Sequence, residues 1–184
     1  MLTAPSPSRP GISAGLGTAL LNAGDLHHAR AVLDESLIAA RRYDAHWPMA
    51  MSLMLLGHVD LAEGRTAPAE AVLAEAGALF QATGTMVYLP WCLEGLGGLA
   101  AAQGDYERAA ELGGARDALR DQIGVFLPPV YPAGYYQALA AARDHLTPAS
   151  FDAARARAAS KALPEIIAAL SDWSRPPPTF TGPG

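Results

Sequence analysis

The residues of this sequence that could do chemistry are five histidines, one cysteine and two glycine-rich pieces. A protein metal site needs three or four converging ligands. His27 and His28 are adjacent, and neighbours on a helix point about 100° apart, so they cannot easily grip one ion. No histidine stands four residues from another histidine or from Cys92. The pair reads as solvated surface, and no metal is expected. Cys92 would need a base beside it to act as a nucleophile. Nothing in the sequence brings His58 or His145 there, and a lone cysteine in an apolar segment packs as a small hydrophobe. Gly15-Leu16-Gly17 and Gly95-Leu96-Gly97-Gly98 look faintly like nucleotide loops. Such loops follow a strand, whereas these lie in helical pattern, so they read as close-packing positions. With no converging titratable groups the chain is not expected to be an enzyme, and no cofactor is implied.

The elements that carry these residues are helices. The chain has 184 residues and is half apolar, with only 7% aromatics. Much of the apolar content is alanine, which favours closely packed helices over strands. Its net charge of −5 comes from 13 basic and 18 acidic residues. No run of Lys and Arg is present to neutralise phosphates, so direct binding to nucleic acid is not expected. The single cysteine precludes an internal disulfide and fits a reducing, cytoplasmic setting. Neither a signal peptide nor a membrane span is apparent.

Internal periodicity organises the first two thirds. Gly24, Gly64 and Gly104 are spaced 40 residues apart, and in the same register fall Leu16-Gly17, Leu56-Gly57 and Leu96-Gly97. Ala29, Ala69 and Ala109 follow, as do Val32-Leu33, Val72-Leu73 and Leu112-Gly113. Each unit reads as two helices around a tight turn. Leu26, Ala29, Val32, Leu33, Leu37 and Ala40 recur at steps of one helical stripe, as do Ala69, Val72, Leu73, Ala76, Leu79 and Phe80. The glycine ends the first helix in a left-handed conformation. Asp25 and Asp105 cap the second, and Pro68 lies where an early-turn proline is tolerated.

Leu-Gly, the turn glycine, the alanine and a large apolar residue four positions later resemble the tetratricopeptide (TPR) repeat. The matching residues are Leu16, Gly17, Gly24, Ala29 and Leu33 in unit one, and Leu56, Gly57, Gly64, Ala69 and Leu73 in unit two. Unit three has Leu96, Gly97, Gly104 and Ala109, with Gly113 where a large residue is expected. The period exceeds the usual ~34 residues, and the pattern's tyrosine is replaced by Leu20, Asp60 and Ala100. The resemblance implies an all-α fold: a TPR-like right-handed superhelical stack of antiparallel helix pairs with a C-terminal helical cap. In such arrays the first helix of each pair lines the concave face. Carrying those positions over gives a partner-binding groove of Asn22, Met51, Met54, His58, Trp91 and Glu94. Methionines suit an adaptable surface, and tryptophan is a common anchor. Trp47, Tyr88 and Trp91, at the starts of first helices, otherwise read as packing between repeats.

The expected organisation is a disordered N-terminus over 1–10, three helix pairs over 11–124, capping helices over 125–172 and a Pro-rich tail over 173–184. Leu127-Pro128-Pro129 breaks the repeat. Helices are then expected over about 133–145, from Thr147-Pro148 onward, and over about 164–171. Tyr131, Tyr135 and Tyr136 are expected to pack this cap onto unit three.

The stretch from Trp91 to Leu170 is similar to the TPR-like arm of large bacterial transcriptional regulators with a STAND-type NTPase module and often a LuxR-type DNA-binding domain. The residues that carry the similarity are Cys92-Leu93-Glu94-Gly95-Leu96, Gly104-Asp105-Tyr106-Glu107-Arg108-Ala109-Ala110, residues 115–119, Leu127-Pro128-Pro129 and residues 162–170. No phosphate-binding Gly-x-x-x-x-Gly-Lys motif exists, since Lys161 is the only lysine. The resemblance therefore implies an arm without its motor or DNA reader, as a fragment or a free-standing relative. The expected function is protein–protein interaction or effector sensing. Expected partners are a protein or peptide, other domains of the same regulator, or a small effector. The alternative is a self-associating homo-oligomeric scaffold that pairs through the open edge of the first unit.

Overall fold

The computed structural model describes residues 9–124, 129–161 and 165. The expected helix near 164–171, the Pro-rich tail and most of the N-terminus lie outside the described residues. Among these residues the protein is all-helical, with no strand. The helices are α1 (Arg9–Asn22), α2 (Leu26–Arg42), α3 (His46–Ala62), α4 (Thr66–Ala82), α5 (Leu89–Ala102), α6 (Tyr106–Ile123), α7 (Pro132–His145) and α8 (Pro148–Ala159). A 3-10 turn, Met86–Tyr88, leads into α5, where Pro90 stands in the first helical turn.

Local chemistry accounts for the boundaries. Gly24, Gly64 and Gly104 hold φ of 78°, 75° and 79°, where a side chain would be strained. The carboxylates of Asp25 and Asp105 accept hydrogen bonds from the backbone N–H of His28 and Arg108 at 3.2 and 3.1 Å, capping α2 and α6. Thr147 caps α8 in the same way through Ser150. A second turn also repeats. Asp44, Gly84 and Gly124, again 40 residues apart, all have positive φ. Asp in place of Gly at the first of these hides that period in the sequence.

Each helix packs on the next through α7, while α8 lies mainly against α6. The odd-numbered helices also touch in order, α1 to α3 to α5 to α7. Through the middle of this row runs the core. Leu53, Met54, Leu55, Val59, Leu73, Phe80, Leu93, Leu96 and Leu99 are essentially inaccessible. Trp47, Phe80, Tyr88 and Trp91 make a continuous aromatic contact, with ring centroids 5.3 to 6.0 Å apart. This seals the junction between units two and three. Gly113 departs from the repeat because a side chain there would strike Leu139 and Arg155 at 2.8 Å; the capping helices already fill that place.

Candidate functional site

The concavity richest in buried polar groups lies between α3, α5 and α7. It has a volume of ≈ 340 Å³. α3 contributes His58, Leu61 and Ala62, and α5 contributes Glu94, Gly98, Ala101 and Ala102. Tyr131 stands at its edge, and α7 adds Tyr135, Gln137, Ala138 and Ala141. Small residues make its walls because the odd helices approach closely. Its histidine and its carboxylate, His58 and Glu94, are 4% and 2% exposed.

His58 bonds through Nε2 to the Trp91 carbonyl at 3.0 Å. A carbonyl only accepts, so Nε2 carries the proton and Nδ1 is the acceptor of the neutral ring. Burial pulls the pKa of this histidine from 6.5 down to about 4, against that hydrogen bond.

Glu94 Oε1 accepts from Arg116 Nε at 2.8 Å and from Nη2 at 2.7 Å, and Oε2 accepts from the Val130 N–H at 2.9 Å. Burial pushes its carboxyl up to about 7, while Arg116 and the Val130 N–H pull the other way. Arg116 is itself buried. Burial works against its charge, but bonds to Asp117 and the Glu94 carboxylate outweigh it and raise its pKa. The Tyr135 ring lies 4.9 Å from the guanidinium, a cation–π contact that completes the shell.

The six residues expected to form a partner groove do not form one surface. His58 and Glu94 come together in the cleft. Asn22 and Glu94 also hold the protein's own chain at Val130. Asn22 Nδ2 donates to the Val130 carbonyl at 3.0 Å, so both polar groups of the Val130 backbone are gripped by side chains from α1 and α5. Met51 and Met54 are core residues at 6% and 0% exposure, which corrects the expectation of an adaptable methionine surface. The cause is the central place of α3, which packs against α1, α2, α4, α5 and α7. Trp91 is half-buried in the aromatic junction. Tyr131 and Tyr135, assigned to cap packing from sequence, are the site residues that pattern reasoning missed. Their position after the Pro-Pro break is the signal that they return to the odd-helix row.

The Glu94 carboxylate is already engaged at both oxygens. Cys92 is fully buried and burial pushes its thiol strongly upward, which removes it as a nucleophile. No group of three His, Cys, Asp or Glu able to hold a metal exists among the described residues, and none of their helices is long and apolar enough to cross a membrane. His28 is engaged with the Asp25 carboxylate at 2.8 Å.

Fold and site together define an all-helical protein with a cleft built along its odd-numbered helices. No family model matches the chain, and no match was found among curated proteins or solved structures.

Proposed function

We propose that this protein is a binding module whose ligand site is the cleft between α3, α5 and α7. The observation that carries the reading is a ligand-sized hollow lined by a buried histidine and a buried carboxylate among mostly small, apolar residues. Sites for small ligands and peptide side chains have this make-up, mostly apolar with few convergent polar groups. The His58 Nδ1 lone pair and the tyrosines supply the orienting contacts. On this reading the helix pairs form a TPR-like right-handed stack, with the odd helices on the concave side. The chain serves as the effector- or partner-sensing arm of a bacterial transcriptional regulator. Support for the regulator comes from the residues between Trp91 and Leu170, and support for the stack from the 40-residue register of turns and caps.

The test is a thermal-shift screen of metabolites and short peptides against the wild-type chain and Ala141→Trp, which fills the cleft mouth. Circular dichroism shows that both fold. A ligand that raises the wild-type Tm by several degrees and leaves Ala141→Trp unmoved supports the site. Equal stabilisation of both contradicts it.

A further inference from the structure

The two buried polar groups of the front cleft differ in what they leave free. Glu94 spends both carboxylate oxygens, on Arg116 and on the Val130 N–H. His58 spends only Nε2, on the Trp91 carbonyl. Its Nδ1 lone pair meets no donor among the described residues. The side chain is buried, so little water reaches that lone pair. Burial also keeps the ring neutral, its pKa drawn down to about 4, so Nδ1 remains an acceptor at neutral pH. A buried acceptor without a donor is costly. A ligand that supplies one removes that cost.

The rest of the lining fixes the remainder of the ligand. Among the described residues Glu94 is its only charged member, and Arg116 Nη2 stands 2.7 Å from the carboxylate. An anion would meet the Glu94 carboxylate and an acceptor nitrogen. An ammonium would leave water for a carboxylate already engaged, with a guanidinium beside it. An uncharged ligand incurs neither penalty. Tyr131, Tyr135 and Gln137 add only uncharged polar groups. Ala101 and Ala102 follow Gly98 by three and four residues, on one face of α5, and Gly134, Ala138 and Ala141 share a face of α7 in the same way. Two such faces, free of large side chains, leave a flat-walled slot. The Tyr131 ring closes its edge, seated on Gly134, where a side chain would strike the ring at 2.5 Å. A planar apolar body fits a slot of this shape.

We infer that the cleft binds an uncharged planar molecule bearing a hydroxyl, a phenol in its simplest form, whose O–H donates to His58 Nδ1 while its ring lies between the small-residue faces of α5 and α7. The inference rests on the cleft being the ligand site and adds the class of ligand. His58 is then the residue that determines specificity. It admits a donor and turns away an acceptor of the same shape.

NMR titration of the whole chain with four probes of one carbon body tests this: p-cresol, toluene, p-toluate and p-methylbenzylammonium. p-Cresol is expected to shift the amides of Gly98, Ala102 and Ala138 and to move the His58 Nδ1 nitrogen resonance in the direction of a hydrogen-bonded nitrogen. Toluene binds at least about 10-fold more weakly, since it leaves the acceptor unmet, and does not move Nδ1. The two charged probes bind more weakly still. His58→Phe, which keeps a ring and removes the acceptor, brings p-cresol down to the affinity of toluene. Toluene or p-toluate binding in the cleft as tightly as p-cresol overturns the inference, as does p-cresol bound there with Nδ1 unmoved; either result leaves the cleft standing as a ligand site. p-Cresol that moves none of these amides also overturns it. The cleft itself is judged separately, by whether Ala141→Trp blocks a ligand found in the thermal-shift screen.

Discussion

The two faces of this protein hold themselves together by different means. The front cleft between α3, α5 and α7 rests on polar groups removed from water: Glu94, Arg116, His58 and the backbone of Val130. The rear groove between α6 and α8 is larger, at ≈ 480 Å³, and is lined by Gly114, Asp117, Asp121 and Arg155. Its ion pair, Asp117 to Arg155 at 2.6 Å, is 38% and 26% exposed. Size alone would favour the rear. The front is the site we propose because its groups are held in place by burial and by bonds between separate segments. The rear is an open seam where one helix backbone lies on another.

The largest expected effect separates the two faces. Glu94→Leu strips one of two carboxylate partners from a buried guanidinium, leaving it only Asp117, and frees the Val130 N–H, a loss of roughly 3 kcal/mol or more measured by urea unfolding. A loss no greater than that of an exposed pair would erase the distinction.

Next in size is the pH dependence of the front. His58 stays neutral in the fold, so as pH falls from 6.5 to about 4 the unfolded chain binds a proton that the folded chain does not. Stability therefore falls with acidification across that window. Glu94 acts in the opposite sense. With its pKa raised from 4.5 to about 7, the folded chain holds the proton longer, and stability falls as pH rises between those values. The two largely offset one another in the wild type. Glu94→Gln removes one of them, and its stability should then climb by about 3 kcal/mol between pH 4 and 6.5. A flat profile in that variant would show His58 to be less buried than the fold implies.

The rear should answer to shape before charge. A side chain at Gly114 would meet the Arg155 backbone carbonyl, so Gly114→Ala forces α8 outward and costs about 1–3 kcal/mol. Asp117→Asn, which weakens the half-exposed pair with Arg155, costs less than about 1 kcal/mol. Both are read from denaturant midpoints, and the reverse order would overturn the comparison.

What the sequence revealed follows the range of the forces involved. The turn glycines, the Asp25, Asp105 and Thr147 caps and the helical stripes are local, so α2, α6, α7 and α8 begin within a residue or so of where pattern places them. The Val130 clamp was not legible. It joins Asn22 and Glu94 to a residue 108 and 36 positions away, and no short-range rule connects them. Met51 and Met54 were misplaced for a related reason. Position along a helix says which face a side chain is on, but five neighbouring helices decide whether any face of α3 is free.

Mapping amide chemical-shift changes, with a ligand drawn from the thermal-shift screen, most directly tests the central claim that the front cleft is the binding site. Changes concentrated at Gly98, Ala102, Tyr131 and Ala138 are the predicted result. Changes concentrated at Asp117, Asp121 and Ala156, with the α3–α5–α7 cleft unmoved, would place binding in the rear groove and contradict it.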